Sequence, residues 1–80
     1  MEEPRAVPAE EVVEFTVIVS GSGVQARITR EALEDHFGAG ASPESWVRAY
    51  VANAARIHRA VEGLVQGGVA RPVIVRTAHF

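Results

Sequence analysis

One stretch of this sequence carries the letters of a cofactor-binding motif. Residues 21–26 read GSGVQA, which matches the G-x-G-x-x-A string of dinucleotide-binding proteins. In such a site the glycines open a helix, whose free N–H groups hold the pyrophosphate. Here the next residues alternate between apolar and polar, and Val24, Ile28 and Thr29 are β-branched, so they favour a strand. The string therefore predicts the turn of a β-hairpin, and we expect no cofactor.

A second stretch places two acids and a histidine side by side, at Glu34, Asp35 and His36. Such groups could exchange protons with a substrate. Neighbouring residues on a helix do not face one another, however, and the sequence places no serine or cysteine to act as a nucleophile. The alternative is a protonatable histidine near the C-terminal end of a helix, where a positive charge is favourable. We therefore expect no catalytic residue.

The histidines also bear on metal binding. His36, His58 and His79 have no pair at a spacing such as H-x-x-x-H, and the chain contains no cysteine. The sequence thus predicts no metal site. Without a catalytic group, a metal site or a cofactor motif, it predicts that the protein is not an enzyme.

Three arginines of a predicted long helix could contact the phosphates of a nucleic acid. Arg48, Arg56 and Arg59 lie on or near its polar face. Nucleic-acid-binding domains usually have an isoelectric point above about 9 with clustered basic residues, whereas this chain has one of about 5.9. The alternative interpretation is a solvated helix face, so nucleic acid is not the expected partner.

Three aromatic residues could form an exposed patch for a protein partner. Trp46 and Tyr50 are one turn apart at the start of the same helix, and Phe80 ends the chain. Aromatic residues are enriched at the cores of interfaces. The same positions also suit the hydrophobic core, because both helix residues lie on the apolar stripe.

Residue patterns divide the chain into an arm and one domain. Residues 1–11 contain two prolines and four glutamates without apolar periodicity, which predicts a flexible acidic arm. Residues 12–80 form the domain. Strands are predicted at 12–20, 24–29 and 73–77 from the alternation of apolar and polar residues. Ile18 is the one large apolar residue on the polar face of the first strand.

Two helices are predicted between the second and third strands. The first, REALEDHF, is capped by Thr29 and stopped by Gly38. The second begins at Ser42-Pro43 and runs to the glycines at 67–68. Its apolar stripe is about five turns long and comprises Trp46, Val47, Tyr50, Val51, Ala54, Ile57, Val61, Leu64 and Val65. A small sheet could leave part of this stripe uncovered, which favours an interaction surface.

The predicted fold is therefore α+β, with a β-hairpin, two helices and a C-terminal strand. The helices cover one face of a small antiparallel or mixed three-stranded sheet. The third strand is expected to run antiparallel to the second. Whether it pairs with the first or the second strand remains open.

Size and composition limit the classes of protein to consider. A chain of 80 residues has a thin core, and small domains add disulfides, metals or self-association for stability. Because cysteine is absent and metal is not expected, a homodimer is one expectation. The sequence shows no signal peptide and no apolar run of the roughly 20 residues that cross a bilayer. We therefore expect a cytoplasmic protein with no membrane partner.

Three segments together resemble a known family. Residues 13–38 (VEFTVIVSGSGVQARITREALEDHFG), 50–57 (YVANAARI) and 73–80 (VIVRTAHF) resemble the small bacterial proteins of DUF1488, a domain of unknown function. The segment EALEDHFG is the most specific part. This chain has Ala26 where members often carry cysteine, lacks the arginine of a polar pair at Asn53-Ala54, and has His79 where an acid is usual. The resemblance implies neither an activity nor a catalytic residue.

The sequence thus favours a small interaction or regulatory module that acts through self-association or through a protein partner. The partner-binding candidates are Trp46, Tyr50 and Phe80. The alternative is a weak nucleic-acid-binding protein that uses the three arginines of the long helix.

Overall fold

A computed structural model describes residues 4–80 of the chain. Within this range the strands are β1 (Arg5–Val7), β2 (Val12–Val19), β3 (Ser22–Thr29) and β4 (Val73–Val75), and the helices are α1 (Arg30–Phe37), α2 (Pro43–Ala52) and α3 (Ala54–Gln66), followed by a single 3-10 turn (Thr77–His79). The domain is α+β, as predicted. Its described part contains a four-stranded mixed sheet and three α-helices, whereas the sequence indicated three strands and two helices.

The motif-like string of residues 21–26 lies in a hairpin. Ser20 and Gly21 have φ values of 51° and 80°, and Val19 pairs with Ser22 across them. Positive φ at both central residues is the geometry of the two-residue turn that matches the twist of a hairpin. The chain continues as β3, not as a helix. The predicted hairpin is confirmed: the glycines lead into a strand and not into the helix N-terminus that holds a pyrophosphate in a dinucleotide site.

The sheet has the order β1-β2-β3-β4. β1 and β3 run antiparallel to β2, whereas β4 runs parallel to β3, with Val73 opposite Ala26. The prediction that the last strand runs antiparallel to β3 was therefore wrong. It assumed two helices between these strands. Each successive element reverses the direction of the chain. Two helices between β3 and β4 would make these strands antiparallel, whereas three helices make them parallel.

The third helix arises because the long predicted helix is interrupted at Asn53. This residue has φ −125° and ψ 20°, and its side-chain nitrogen Nδ2 donates to the carbonyl oxygen of Ala49 at 2.9 Å. Its backbone N–H closes α2 on the carbonyl of Tyr50. Asparagine side chains compete with the helix for backbone partners, so α2 ends here and α3 begins at Ala54.

The segment predicted as a flexible arm contains a strand. Residues 1–3 of that segment lie outside the described residues. Arg5, Ala6 and Val7 form β1 and pair with the start of β2. β1 has only three residues between two prolines, which is too short to show the alternation of a strand. Only its pairing with β2 identifies it as a strand.

The caps predicted for the helices are confirmed. The Thr29 hydroxyl accepts from the backbone N–H of Ala32 at 3.2 Å, and Gly38 ends α1 with φ 70°. Ser42 caps α2, with Pro43 at its first position. These caps fix where the helices begin beneath the sheet.

The core lies between the helices and one face of the sheet. The inward-facing strand residues alternate as predicted, and they pack with residues of all three helices. Those that are fully or almost fully buried include Val13, Val24, Ile28, Leu33, Ile57, Val61, Val73 and Val75. The other face of the sheet carries polar and exposed residues, among them Glu14, Thr16, Ile18, Gln25 and Arg27. The domain is thus a two-layer arrangement with one open sheet face.

Candidate interaction site

Asp35 and His36, near the end of α1, hold the C-terminal turn, whereas Glu34 contacts its own helix. His36 Nε2 lies 3.1 Å from the carbonyl oxygen of Thr77, and the Thr77 hydroxyl donates to Asp35 Oδ2 at 3.4 Å. Glu34 Oε1 lies 3.8 Å from Arg30 Nε. Each group therefore has a structural partner, and the three do not converge on one point.

Trp46 and Tyr50 are core residues. They are 4% and 5% exposed, and the Trp46 indole N–H donates to the carbonyl of Gly40 at 3.1 Å. This burial corrects the prediction of an exposed patch at Trp46 and Tyr50. The two side chains are buried because the apolar stripe of α2 faces the sheet. Phe80 is partly buried against Phe37, with ring centroids 5.0 Å apart. It lies with the C-terminal turn, so the three aromatic residues do not form one surface.

The three arginines are not brought together by any contact in the described chain. Arg56 lies over the rings of Phe37 and Phe80, at 5.2 and 5.6 Å from their centroids, a cation–π arrangement. Arg48 and Arg59 are both exposed. Arg59 Nε donates along its own helix to the carbonyl of Ala55 at 3.5 Å.

A tyrosine–histidine pair connects α2, α3 and β2. Tyr50 Oη and His58 Nε2 are 2.5 Å apart, and the His58 ring stacks on Phe15 at 5.7 Å. Burial lowers the pKa of His58, opposed by the charge of Glu62, and burial raises the pKa of Tyr50. The histidine tautomer sets whether Tyr50 Oη donates this hydrogen bond or accepts it. No pattern in the sequence indicated this pair, because Asn53 decides how the two helices meet.

A row of charges crosses the open sheet face. Glu14 accepts from Arg5 Nη2 at 2.7 Å and from Arg27 Nε at 3.1 Å, and Arg27 also contacts Glu10 at 3.3 Å. The hydrogen bond from Arg5 is the main cause that holds the pKa of Glu14 below its usual value, although partial desolvation acts in the opposite direction. The predicted alternation and a two-residue turn at residues 20–21 place Glu14 opposite Arg27. This row of charges could therefore have been predicted from the sequence.

A shallow groove of about 510 Å³ runs along this row. Its walls include the charged side chains together with Thr16, Gln25 and Pro72. The groove is polar, and none of its residues supplies a nucleophile beside a base.

Beyond this row the hairpin continues towards its turn. We call residues 16–25 the distal hairpin and residues 12–15 with 26–29 the proximal hairpin. On the open face of the distal hairpin, Ile18 is 67% exposed, the most exposed large apolar residue of the described chain. Its cross-strand neighbour is Gly23, and both Gly23 and Gln25 are exposed. Ile18 is therefore the large apolar side chain that the open face of the described sheet presents to solvent, and we take it as the candidate interaction site.

Across residues 4–80, no three His, Cys, Asp or Glu side chains group as ligands for a metal ion. None of the helices in that range combines the length and the apolar character that crossing a bilayer requires.

Comparison with known proteins gives one match. The family described as Protein of unknown function (DUF1488) matches residues 2–74, which includes nearly all of the described sheet and helices. No curated protein and no solved structure matches the chain. The match covers most of the sequence and agrees with the resemblance of its three segments. This chain belongs to the DUF1488 family of proteins of unknown function.

Proposed function

We propose that this protein is a non-enzymatic interaction module that associates with a second copy of itself through the distal hairpin. The observation that carries the proposal is the exposure of Ile18, at 67%, on the sheet face that no described helix covers. The buried core of a protein interface is apolar and its rim is polar, which is the arrangement of Ile18 among the polar residues of this face. The neighbouring glycine gives that partner room to approach.

The size of the domain adds support. An 80-residue chain without cysteine has few means of gaining stability beyond its own core. Association through a small surface buries further apolar area. An interface below about 1,200 Å² is at the weak end of specific complexes, so we expect a dimer that dissociates on dilution.

Sedimentation velocity from micromolar to millimolar concentration tests the proposal. We expect the average mass to rise towards that of a dimer, and we expect Ile18→Arg to keep the protein monomeric. Val51→Arg is the matched control, because Val51 is also 60% exposed but lies on α2. A strictly monomeric wild-type protein at millimolar concentration would overturn the proposal.

Weak nucleic-acid binding through Arg48, Arg56 and Arg59 has less support. Arg56 already packs on two phenylalanine rings, and the isoelectric point is about 5.9. A salt titration of fluorescent RNA binding tests it, since contacts to phosphates give an affinity that falls steeply as salt rises.

A further inference from the structure

Three cross-strand pairs lie in a row along the open face of the hairpin. From the sheet centre towards the turn they are Glu14 with Arg27, Thr16 with Gln25, and Ile18 with Gly23. The members of each pair suit one another: an acid and a base, two side chains that form hydrogen bonds, and a large apolar side chain beside a residue that has none. Because residues two apart on a strand share a face, the pairs form one continuous surface, which we call the face strip.

Two copies of the face strip can pack about a twofold axis in only a few ways. An axis along β2 places Glu14 against the partner's Glu14, and an axis along β3 places Arg27 against the partner's Arg27. An axis across the strands either puts Ile18 on the partner's Glu14 or leaves every layer except that of Ile18 without a contact. Like charges brought together across an interface cost affinity. An axis that runs between β2 and β3, parallel to both, avoids all of these contacts.

We propose that two copies pack open face to open face about this axis, so that β2 of each copy lies over β3 of the other. This inference rests on the proposed function and specifies its geometry. The two sheets are about 10 Å apart with their strands nearly aligned, as in a β-sandwich. Glu14 then lies opposite the partner's Arg27, and Thr16 lies opposite the partner's Gln25. The helices of both copies remain on the outside.

The position of the Ile18 side chain supports this axis. A Cβ atom built on Gly23 would lie 4.0 Å from Ile18 Cδ1, so the isoleucine leans from β2 towards β3 and hence towards the axis. The partner's Ile18 leans in from the other side, displaced along the sheet by one strand spacing of about 4.8 Å. Because Gly23 has no side chain, nothing at this level separates the two isoleucines. The dimer therefore covers a side chain that is 67% exposed in the single chain.

The flanking strands fit the same arrangement. Arg5 pairs with Glu14 on one side of the face strip, and Ile74 pairs with Arg27 on the other, so both share its face. The axis places β1 of one copy over β4 of the other. Ile74 then lies opposite the partner's Arg5, and an arginine covers apolar surface with its aliphatic stem while its charge stays in water.

The charges in this arrangement select the orientation more than they add affinity. Within each chain Glu14 already contacts Arg5 at 2.7 Å and Arg27 at 3.0 Å. Further pairs between exposed charges contribute little to binding because water and salt screen them. A wrong orientation brings like charges together, which costs more. The apolar layer at Ile18 thus drives the contact and the charges form its rim, which agrees with a dimer that dissociates on dilution.

Nuclear Overhauser effects between an isotope-labelled and an unlabelled copy test the arrangement. We expect one effect from the Thr16 methyl group to the partner's Gln25 and one from the Ile18 methyl groups to the partner's Gly23. The isotope filter is needed because each of these pairs is also a cross-strand pair within a chain. Both effects should disappear on dilution to the monomer.

Paired charge variants give a second test. Thr16→Lys and Gln25→Glu should each weaken association about tenfold or more, because two like charges then meet beside the axis. An equimolar mixture should associate again, less so at high salt, since the new lysine of one chain lies opposite the new glutamate of the other. This recovery also shows that both variants fold. Ala52→Lys and Ala55→Glu, at exposed positions of the helices, should each associate like the wild type.

The outcomes separate the inference from the function on which it rests. If Ile18→Arg abolishes the dimer but the mixture of charge variants stays as weak as either variant alone, the face-to-face arrangement is wrong although the proposed function stands. A dimer without the effect between Thr16 and the partner's Gln25 leads to the same conclusion. If the wild type never associates at millimolar concentration, both proposals fall.

Discussion

The two halves of the hairpin differ in what surrounds them. The proximal hairpin has β1 on one side, β4 on the other, helices beneath and the ion pairs of Glu14 on its open face. The distal hairpin keeps a buried inner face but has no described strand beside Gly23. The same two strands thus provide a closed structural half and an open half, which indicates that the fold and the interaction are carried by different residues.

The largest expected effect distinguishes the two isoleucines of these halves. Ile28 is fully buried in the proximal hairpin, so Ile28→Ala should lower the free energy of unfolding by about 2–5 kcal/mol. Ile18→Ala should change it by no more than about 0.5 kcal/mol, since it is mostly exposed in the monomer. Urea denaturation at low concentration measures both, and similar losses would contradict the comparison.

Ile18, which should matter little for the free energy of unfolding, is expected to matter for the dissociation constant of the dimer. Ile18→Val removes one methylene from each copy, worth about 0.8 kcal/mol when buried. With two copies in the dimer, the dissociation constant should rise roughly tenfold. Val51→Ala removes more atoms from an exposed residue of α2 and should leave the dissociation constant unchanged. Equal effects of the two variants would indicate that the helices, not the distal hairpin, mediate association.

A third prediction concerns Phe15, where the halves meet, and the histidine stacked on it. Burial holds the pKa of His58 below the value of about 6.5 expected in the unfolded chain. The unfolded state therefore binds more protons below neutral pH, and the free energy of unfolding should fall as pH decreases from 7 towards 5. His58→Gln should flatten this slope. His36→Gln, at an exposed histidine of α1, should preserve it, and denaturation at several pH values compares them.

The smallest effect is expected from the charge row of the proximal hairpin. Glu14→Gln removes the ion pairs of Glu14 with Arg5 and Arg27, and exposed ion pairs contribute little to stability because water and salt screen them. The loss should shrink at high salt because the ions screen these charges. Glu34→Gln is the control, since its pair with Arg30 is longer at 3.8 Å. A loss that persists in high salt would show that Glu14 contributes more than charge.

Part of the site could be predicted from the sequence. Ile18 stood out as an apolar residue on the polar face of its strand, and the turn that leads to Gly23 was recognised from its glycines. The openness of the edge could not be predicted, because it depends on where β4 stops along β3. The aromatic candidates failed for a related reason. An apolar stripe shows which side of a helix is buried, and only the packed sheet shows that Trp46 and Tyr50 are covered.

By itself the sequence determined the local structure: the alternation of β2 and β3, the turn between them, the caps of α1 and α2, and the family. These features depend on residues close together in the chain, where backbone sterics and side-chain hydrogen bonds act. Tertiary structure alone decided the parallel direction of β4, the pairing of β1, the meeting of Tyr50 with His58 and the exposed edge at Gly23. Each of these depends on contacts between segments that are distant in the chain. A break of one residue, such as Asn53, is enough to change how such segments meet.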